Sequence, residues 1–380
     1  MGKIDTVTRF NPCHLASHDT EKPVLYISRS ELRKNSHRFL QHFPGETTYA
    51  VKANSNTLVL QELVRNGVST FDVASIPEMK MVKAVHPQAT LHYHNPVHSQ
   101  REIELAYFEY GCKRFAVDHI DELRKIHSIV PNPAEIELAV RFCTKSNAKA
   151  VMAFKSKFGA LKLEAVRILQ EARRLGFMTG LTFHPGSQTT SAAPYIEHII
   201  EAAEIAHLAG KKLFFLNVGG GFPAHYEGLE TAQLETYFEA IRKTTINVFG
   251  KEAPKLECEP GRAMVAAAGT LETRIKTVRR DKREVFLNDG IYGGLMEVYQ
   301  FPALRPAYKH ECGTPSISTC AEWTVFGPTC DPIDMLPFKL SMPDTIKEND
   351  IVRFIGIGAY CNATATGFNG YGQIGVKLAP

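Results

Sequence analysis

Between residues 47 and 261, short β-branched or aromatic runs alternate with longer amphipathic stretches, and nearly every short run ends on a polar or charged residue or on glycine. The alternation reads as βα units rather than hairpins. Eight candidate strands follow: Thr47–Val51, Thr70–Ala74, Leu91–His94, Arg114–Val117, Ile136–Phe142, Leu181–Phe183, Phe214–Val218 and Lys255–Glu259, with helical patterns such as Ile120–Ile129 and Leu163–Leu175 between them. In chain order the strand ends carry Lys52, Asp72 with Ser75, Asn95, Asp118, Arg141, His184 with Ser187, Gly219–Gly221, and Glu259 with Arg262. A doubly wound open sheet would gather its ligand residues at one switch point. A closed barrel brings all strand ends to one mouth, so the spread over eight strands predicts an α/β chain built on a (β/α)8 barrel.

From about Ala263 the texture changes to short strands separated by turn residues, such as Leu271–Val278, Glu284–Leu287, Thr324–Phe326 and Ile351–Ile355. The expected organisation is a barrel over residues 30–262 and a β-sandwich-like domain formed by residues 1–29 and 263–380. The isolated run Pro23–Ser28 is expected to pair with that second domain.

A chain of 380 residues with 44% hydrophobic and 22% charged content has enough apolar material for two cores. A net charge of +4 without long Lys/Arg blocks gives no nucleic-acid arm or membrane patch, so the expected partner is a small molecule. Eight cysteines without a C-x-x-C pair, and no signal-peptide pattern, suggest a reduced cytoplasmic chain; no metal site is expected. The Met-Gly start and the Asn362-Ala-Thr364 sequon are short patterns that recur by chance, and neither is assigned a role.

Lys52 follows Thr-Tyr-Ala-Val and would emerge from the first strand into the mouth, where a partly desolvated amine of depressed pKa can bond a carbonyl cofactor. Alone it would pass for a snorkelling lysine. Its company changes that, because the loops after barrel strands seven and eight commonly bind phosphate, and here they carry Gly219-Gly220-Gly221 and Glu259-Pro-Gly-Arg262. A carboxylate such as Glu259 can keep a pyridine nitrogen protonated, and an imidazole such as His184 can cover one face of the ring.

Together with Phe71-Asp-Val-Ala-Ser75, Lys157-Phe-Gly159, His184-Pro-Gly-Ser-Gln188, Asn288-Asp-Gly-Ile-Tyr292, Gly327-Pro-Thr-Cys-Asp331 and Gly358-Ala-Tyr360, these motifs run in one order over nearly the whole chain. The chain resembles the ornithine/lysine/diaminopimelate decarboxylase family, the pyridoxal 5'-phosphate enzymes of the alanine-racemase fold. The resemblance implies that Lys52 holds the cofactor as a Schiff base, that His184 stacks on its ring and that Glu259 meets the ring nitrogen. It implies a phosphate cradle of Ser187, Gly219, Gly220, Gly221, Arg262 and Tyr360. It also implies a homodimer with shared sites, in which Cys330 and Asp331 enter the other subunit's site and Lys157 pairs with Asp334 across the interface. The catalytic candidates are Lys52, His184, Asp72 and Cys330, the last as the proton donor to Cα after CO2 leaves.

The Cys330-Asp331 pair is similar to ornithine- and lysine-type members, whose aspartate receives the substrate's distal ammonium; diaminopimelate-type members carry Cys-Glu-Ser there. This implies decarboxylation of L-ornithine to putrescine in polyamine synthesis, with L-lysine as a second substrate and diaminopimelate or arginine as alternatives. Eukaryotic ornithine decarboxylases carry Tyr-Asp-His where this chain reads Glu297-Val-Tyr299-Gln-Phe301, so Glu297 and Tyr299 are the substrate-binding candidates for the missing aspartate. An arginine usual before the Lys-Phe-Gly motif is replaced by Ala153. A racemase would place an arginine at the ring nitrogen, against Glu259, and a catalytically inactive regulatory homologue would show damaged cofactor motifs, which here are intact.

Overall fold

A computed structural model describes residues 21–143, 150–152, 157–210, 212–311 and 319–380. Ala153 lies outside these residues, as do Cys13, Cys312 and the Met-Gly start.

The first barrel strand is divided into Glu46–Thr47 and Tyr49–Ala50, and the break at Thr48 closes the cylinder. On one side Glu46 and Thr47 pair in parallel with Lys255–Cys258, and the Thr48 and Ala50 amides continue that seam to the Cys258 and Pro260 carbonyls. On the other side Tyr49 and Ala50 pair with Thr70–Val73. The remaining strands are Thr90–Tyr93, Arg114–Val117, Glu137–Arg141, Met178–Thr182 and Phe215–Asn217, all parallel. The sheet is thus a (β/α)8 barrel, as the spacing of strand ends required.

Helices cover the outside where the sequence is amphipathic and capped. Ile120–Ile129 begins at His119, whose side chain accepts from the Asp121 amide, and buries Leu123 and Ile126. Ile76–Val85 begins at Ser75 with proline in its first turn, and buries Met79 and Val82. The sixth strand begins at Met178, three residues before the expected Leu181. Its Thr-Gly step hides the strand pattern, and Gly180 is needed there because a Cβ would lie 2.5 Å from the Phe215 ring. A short antiparallel pair, Ala150–Met152 with Ser187–Thr189, had no signal in the sequence.

The barrel floor is polar. Arg114 lies over the Phe215 ring at 3.7 Å, forks onto Glu257, and also binds Glu137. A guanidinium buried with two carboxylates keeps its charge only because they supply the acceptors.

The second sheet is mixed. Gly269–Arg279 pairs with Ile351–Ile355 and Glu284–Leu287; Cys320–Phe326 runs parallel to the latter and antiparallel to Leu340–Pro343. Val24–Ser28 completes it, antiparallel to Gly269–Arg279 and parallel to Gly375–Ala379. At the mouth Asn54 Nδ2 donates to the Gly358 carbonyl at 2.9 Å and the Tyr360 backbone amide donates to the Ala53 carbonyl at 2.8 Å, so the second sheet is tied beside Lys52.

Candidate active site

A single 3-10 turn, Val51–Ala53, ends the first barrel strand and lifts Lys52 out of it. Its flanking Val51 and Ala53 are fully buried, while the Lys52 side chain is 44% exposed, which makes its amine reachable from the mouth. Nζ stands 3.5 Å from Asp72 Oδ2 on the next strand. The Lys52 amine lies above its ordinary pKa, not below it as expected for a desolvated lysine. Burial pulls the ammonium down, but Asp72, Tyr360 and Glu259 outweigh it and hold Lys52 above its ordinary value. Burial and Glu259 in turn raise Asp72, against the pull of Lys52 and His94.

Glu259 closes the last strand and is buried. Its Oε1 receives Asn217 Nδ2 at 2.8 Å and also touches His94 Nδ1. Oε2 has no hydrogen-bond partner among the described residues. Burial works against its charge, but His94, Lys52 and His184 overcome that and hold its carboxyl at about 2. Asp72, His94 and Glu259 are also the described residues' grouping close enough to hold a metal ion, with donor atoms within 4.8 Å of one another. Two donors on Glu259 Oε1 and an ammonium on Asp72 already account for the grouping.

His184 follows the sixth strand, and its Nδ1 accepts from the Gly186 amide at 3.3 Å. Burial, then Lys52 and Arg141, hold its imidazole at about 3, so it is neutral. A neutral imidazole can lie against an aromatic ring without adding charge.

The glycine run after the seventh strand is pinned by its carbonyls. Glu259 N, Tyr195 Oη and Thr189 N donate to the carbonyls of Gly219, Gly220 and Gly221 at 2.8, 2.8 and 3.0 Å. The amides of Gly220 and Gly221 have no acceptor among the described residues. Gly219 and Gly221 have φ of 69° and 89°, and a Cβ would fall 2.2 Å from the Phe183 carbonyl oxygen and 2.3 Å from that of Gly186. Only glycine fits such a loop, and it offers bare N–H groups to an oxyanion.

Arg262 is buried beside it. Nε donates to Ser187 Oγ at 3.4 Å, and Nη1 donates to Tyr226 Oη at 2.8 Å and Glu297 Oε2 at 2.7 Å; Nη2 donates to Glu297 Oε1. Four of its five N–H groups are committed, which leaves one on Nη2 for a further acceptor. Tyr360, with φ of 56°, sets its ring 4.9 Å from the guanidinium carbon. Left-handed backbone in a tyrosine is strained and is held by the Ala53 hydrogen bond.

These features fit pyridoxal 5'-phosphate: a reachable amine, a carboxylate with one free oxygen, a neutral imidazole, and two free amides beside an arginine with a donor to spare. The structure brings together Lys52, Asp72, His184, Ser187, Gly219–Gly221, Glu259, Arg262 and Tyr360. Glu297 is brought to this cluster too, but as the bidentate partner of Arg262 and not as an isolated carboxylate for a substrate.

The other candidates stand apart. Tyr299 is exposed on the short helix Met296–Gln300. Cys330 is exposed, and its amide donates to Asn369 Oδ1 at 3.0 Å. Asp331 accepts from Tyr292 Oη at 2.5 Å and the Ile333 amide at 3.0 Å. The Tyr292 hydrogen bond, then that of Ile333, lowers its carboxyl. Among the described residues, no hydrogen bond or ion pair links Cys330 or Asp331 to the cluster. Asp334, expected to reach Lys157 of another subunit, is buried in its own chain, where it accepts from Ile291 N, Thr329 N and Thr329 Oγ1. Lys157 is exposed beside the Phe158 ring. Sequence reasoning missed His94, Asn217 and Tyr226. Of these only His94 had a usable signal, since His92 and His94 share the inward parity of one strand.

The family model for the pyridoxal-binding domain of pyridoxal-dependent decarboxylases matches residues 29–266. The lysine/ornithine decarboxylase of Selenomonas ruminantium is 32% identical over 357 residues, covering 92% of this chain and 87% of that protein. Among solved structures, the arginine decarboxylase of Paramecium bursaria Chlorella virus bound to agmatine gives a TM-score of 0.83 at 26% identity, covering 94% of this chain and 97% of that one. The lysine/ornithine decarboxylase of Vibrio vulnificus complexed with putrescine gives 0.81 at 26% identity, covering 94% of each chain. With the whole barrel and every barrel-borne residue of its mouth inside the matched residues, and relatives similar over almost its full length, the chain belongs to the pyridoxal-dependent decarboxylases of basic amino acids, and its cofactor is pyridoxal 5'-phosphate.

Proposed function

We propose that this chain decarboxylates a basic L-amino acid, L-ornithine first and L-lysine second, and so forms putrescine or cadaverine. When bound, pyridoxal 5'-phosphate supplies the electron sink that makes loss of CO2 from Cα feasible. The chain's residues bind, orient and move protons around it. Lys52 would hold the cofactor through its amine, and Asp72, 3.5 Å away, is placed to take or return that amine's proton. Glu259 would face the ring nitrogen, and neutral His184 would cover the ring. The free amides of Gly220 and Gly221, with Ser187, Arg262 and Tyr360, would hold the phosphate. Glu297 orients Arg262 through its bidentate hold on the guanidinium.

The substrate assignment rests on Asp331, an ionised carboxylate held by Tyr292 and the Ile333 amide. An aspartate aimed by two donors suits a distal ammonium, and a substrate lacking that group leaves the carboxylate unpaired. Among the described residues neither Cys330 nor Asp331 is hydrogen-bonded or ion-paired to the cofactor cluster; in this reading they serve a second copy of the chain, Cys330 to protonate Cα and Asp331 to receive the distal amine. This requires a homodimer with shared sites.

A panel of L-ornithine, L-lysine, L-arginine and meso-diaminopimelate tests the assignment by kcat/KM. L-Ornithine should lead, and Asp331→Ala should lower its kcat/KM by about a hundredfold, the size of a lost charge-assisted contact. Preference for arginine or diaminopimelate would overturn it.

A further inference from the structure

The barrel interior holds two neighbouring imidazoles tilted against each other. His92 and His94 are buried, with ring centroids 5.4 Å apart and planes inclined by 35°. Barrel interiors are ordinarily filled by branched apolar side chains, and a buried imidazole is costly unless its nitrogens are used. His94 uses one. A carboxylate only accepts, so Nδ1–H donates to Glu259 Oε1. Asn217 Nδ2 donates to the same oxygen at 2.8 Å, and Asn217 is itself fixed because its Oδ1 accepts from the Gly219 amide at 2.8 Å. His94 Nε2 has no hydrogen-bond partner among the described residues. Asp72, whose nearest oxygen lies within 4.8 Å of the His94 and Glu259 donor atoms, faces the same spot.

We propose that His94 is a positioning residue for Glu259: with Asn217 it occupies Oε1, and so leaves Oε2 as the oxygen that meets the ring nitrogen of pyridoxal 5'-phosphate. This rests on the assignment of Glu259 to that nitrogen. Without the imidazole, Oε1 keeps only the Asn217 amide and the carboxylate can turn away. The N–H donor on Glu259 is also lost, and Glu259 and Asp72 then compete for Lys52.

The test uses the full-length apoprotein and two probes, pyridoxal 5'-phosphate and its 1-deaza analogue, in which the ring nitrogen is replaced by C–H. The wild-type protein should bind the nitrogen-containing probe more tightly. His94→Leu, which fills the space without an N–H, should reduce that preference by about tenfold, as expected for one charge-assisted hydrogen bond, while affinity for the deaza analogue stays near wild type. His94→Asn places Nδ2 where Nδ1 was and should restore most of the preference. Should the leucine protein not accumulate, the asparagine variant decides alone, and loss of the preference in it overturns the proposal. If His94→Leu keeps the wild-type preference while Glu259→Gln loses it, the role of His94 is overturned and that of Glu259 stands. If Glu259→Gln keeps the preference as well, the ring-nitrogen assignment itself fails, and the proposal with it.

Discussion

Asp289 sits in the Asn288-Asp-Gly turn with its carboxyl enclosed, and its Oδ2 accepts from the Gly294 amide at 2.9 Å. Burial, opposed by the Gly294 and Gly290 amides and reinforced by Asp334, pushes it up to about 7. Between about pH 4 and pH 7 the folded chain therefore keeps a proton that the unfolded chain has released, so stability falls as pH rises through that window and levels off above it. The full effect is on the order of 4 kcal/mol. Asp289→Asn keeps the shape and cannot ionise. Denaturant unfolding should show the variant gaining a few kcal/mol on the wild type between about pH 5 and about pH 8, and a pH-independent difference would contradict the burial of an acid there. Glu297 makes a related point. As a residue in the sequence it looked like a spare carboxylate, and only its approach to Arg262, 35 positions away, shows it as that guanidinium's partner.

At the scale of elements, the barrel was legible because each strand is short, β-branched or aromatic, and followed by a residue with chemistry. Lys52, Asp72, His184, Glu259 and the glycine run each sit at a strand end, and strand ends converge whatever the details of packing. What was hidden depends on pairings across the barrel. His94 and Glu259 lie 165 residues apart, and Arg114 and Glu257 lie 143 apart. No local period marks such partners. Tyr226 reads as an ordinary aromatic until it is found on Arg262. The sixth strand was misplaced for a related reason, since Gly180 weakens the strand pattern in order to admit Phe215.

The whole molecule joins two sheets at the mouth, where Asn54 and Tyr360 bond across to Gly358 and Ala53. Cys330 and Asp331 belong to the second sheet's loops, and among the described residues neither is hydrogen-bonded or ion-paired to the cofactor cluster; the proposed working unit is two copies of the chain. Lys52→Ala and Cys330→Ala proteins should each be inactive, and a mixture should recover about a quarter of wild-type activity, because half the dimers carry one intact site; no recovery would count against a shared site. No helix among the described residues is long and apolar enough to cross a membrane. Lys52 is the residue on which the proposed chemistry depends. Borohydride reduction of the cofactor-loaded protein, followed by peptide mass mapping, should place the reduced pyridoxyl group on Lys52 and abolish the visible absorption band, with Lys52→Ala showing neither the band nor CO2 release. A label on any other lysine, or a Lys52→Ala protein that keeps the band and full CO2 release, would contradict it.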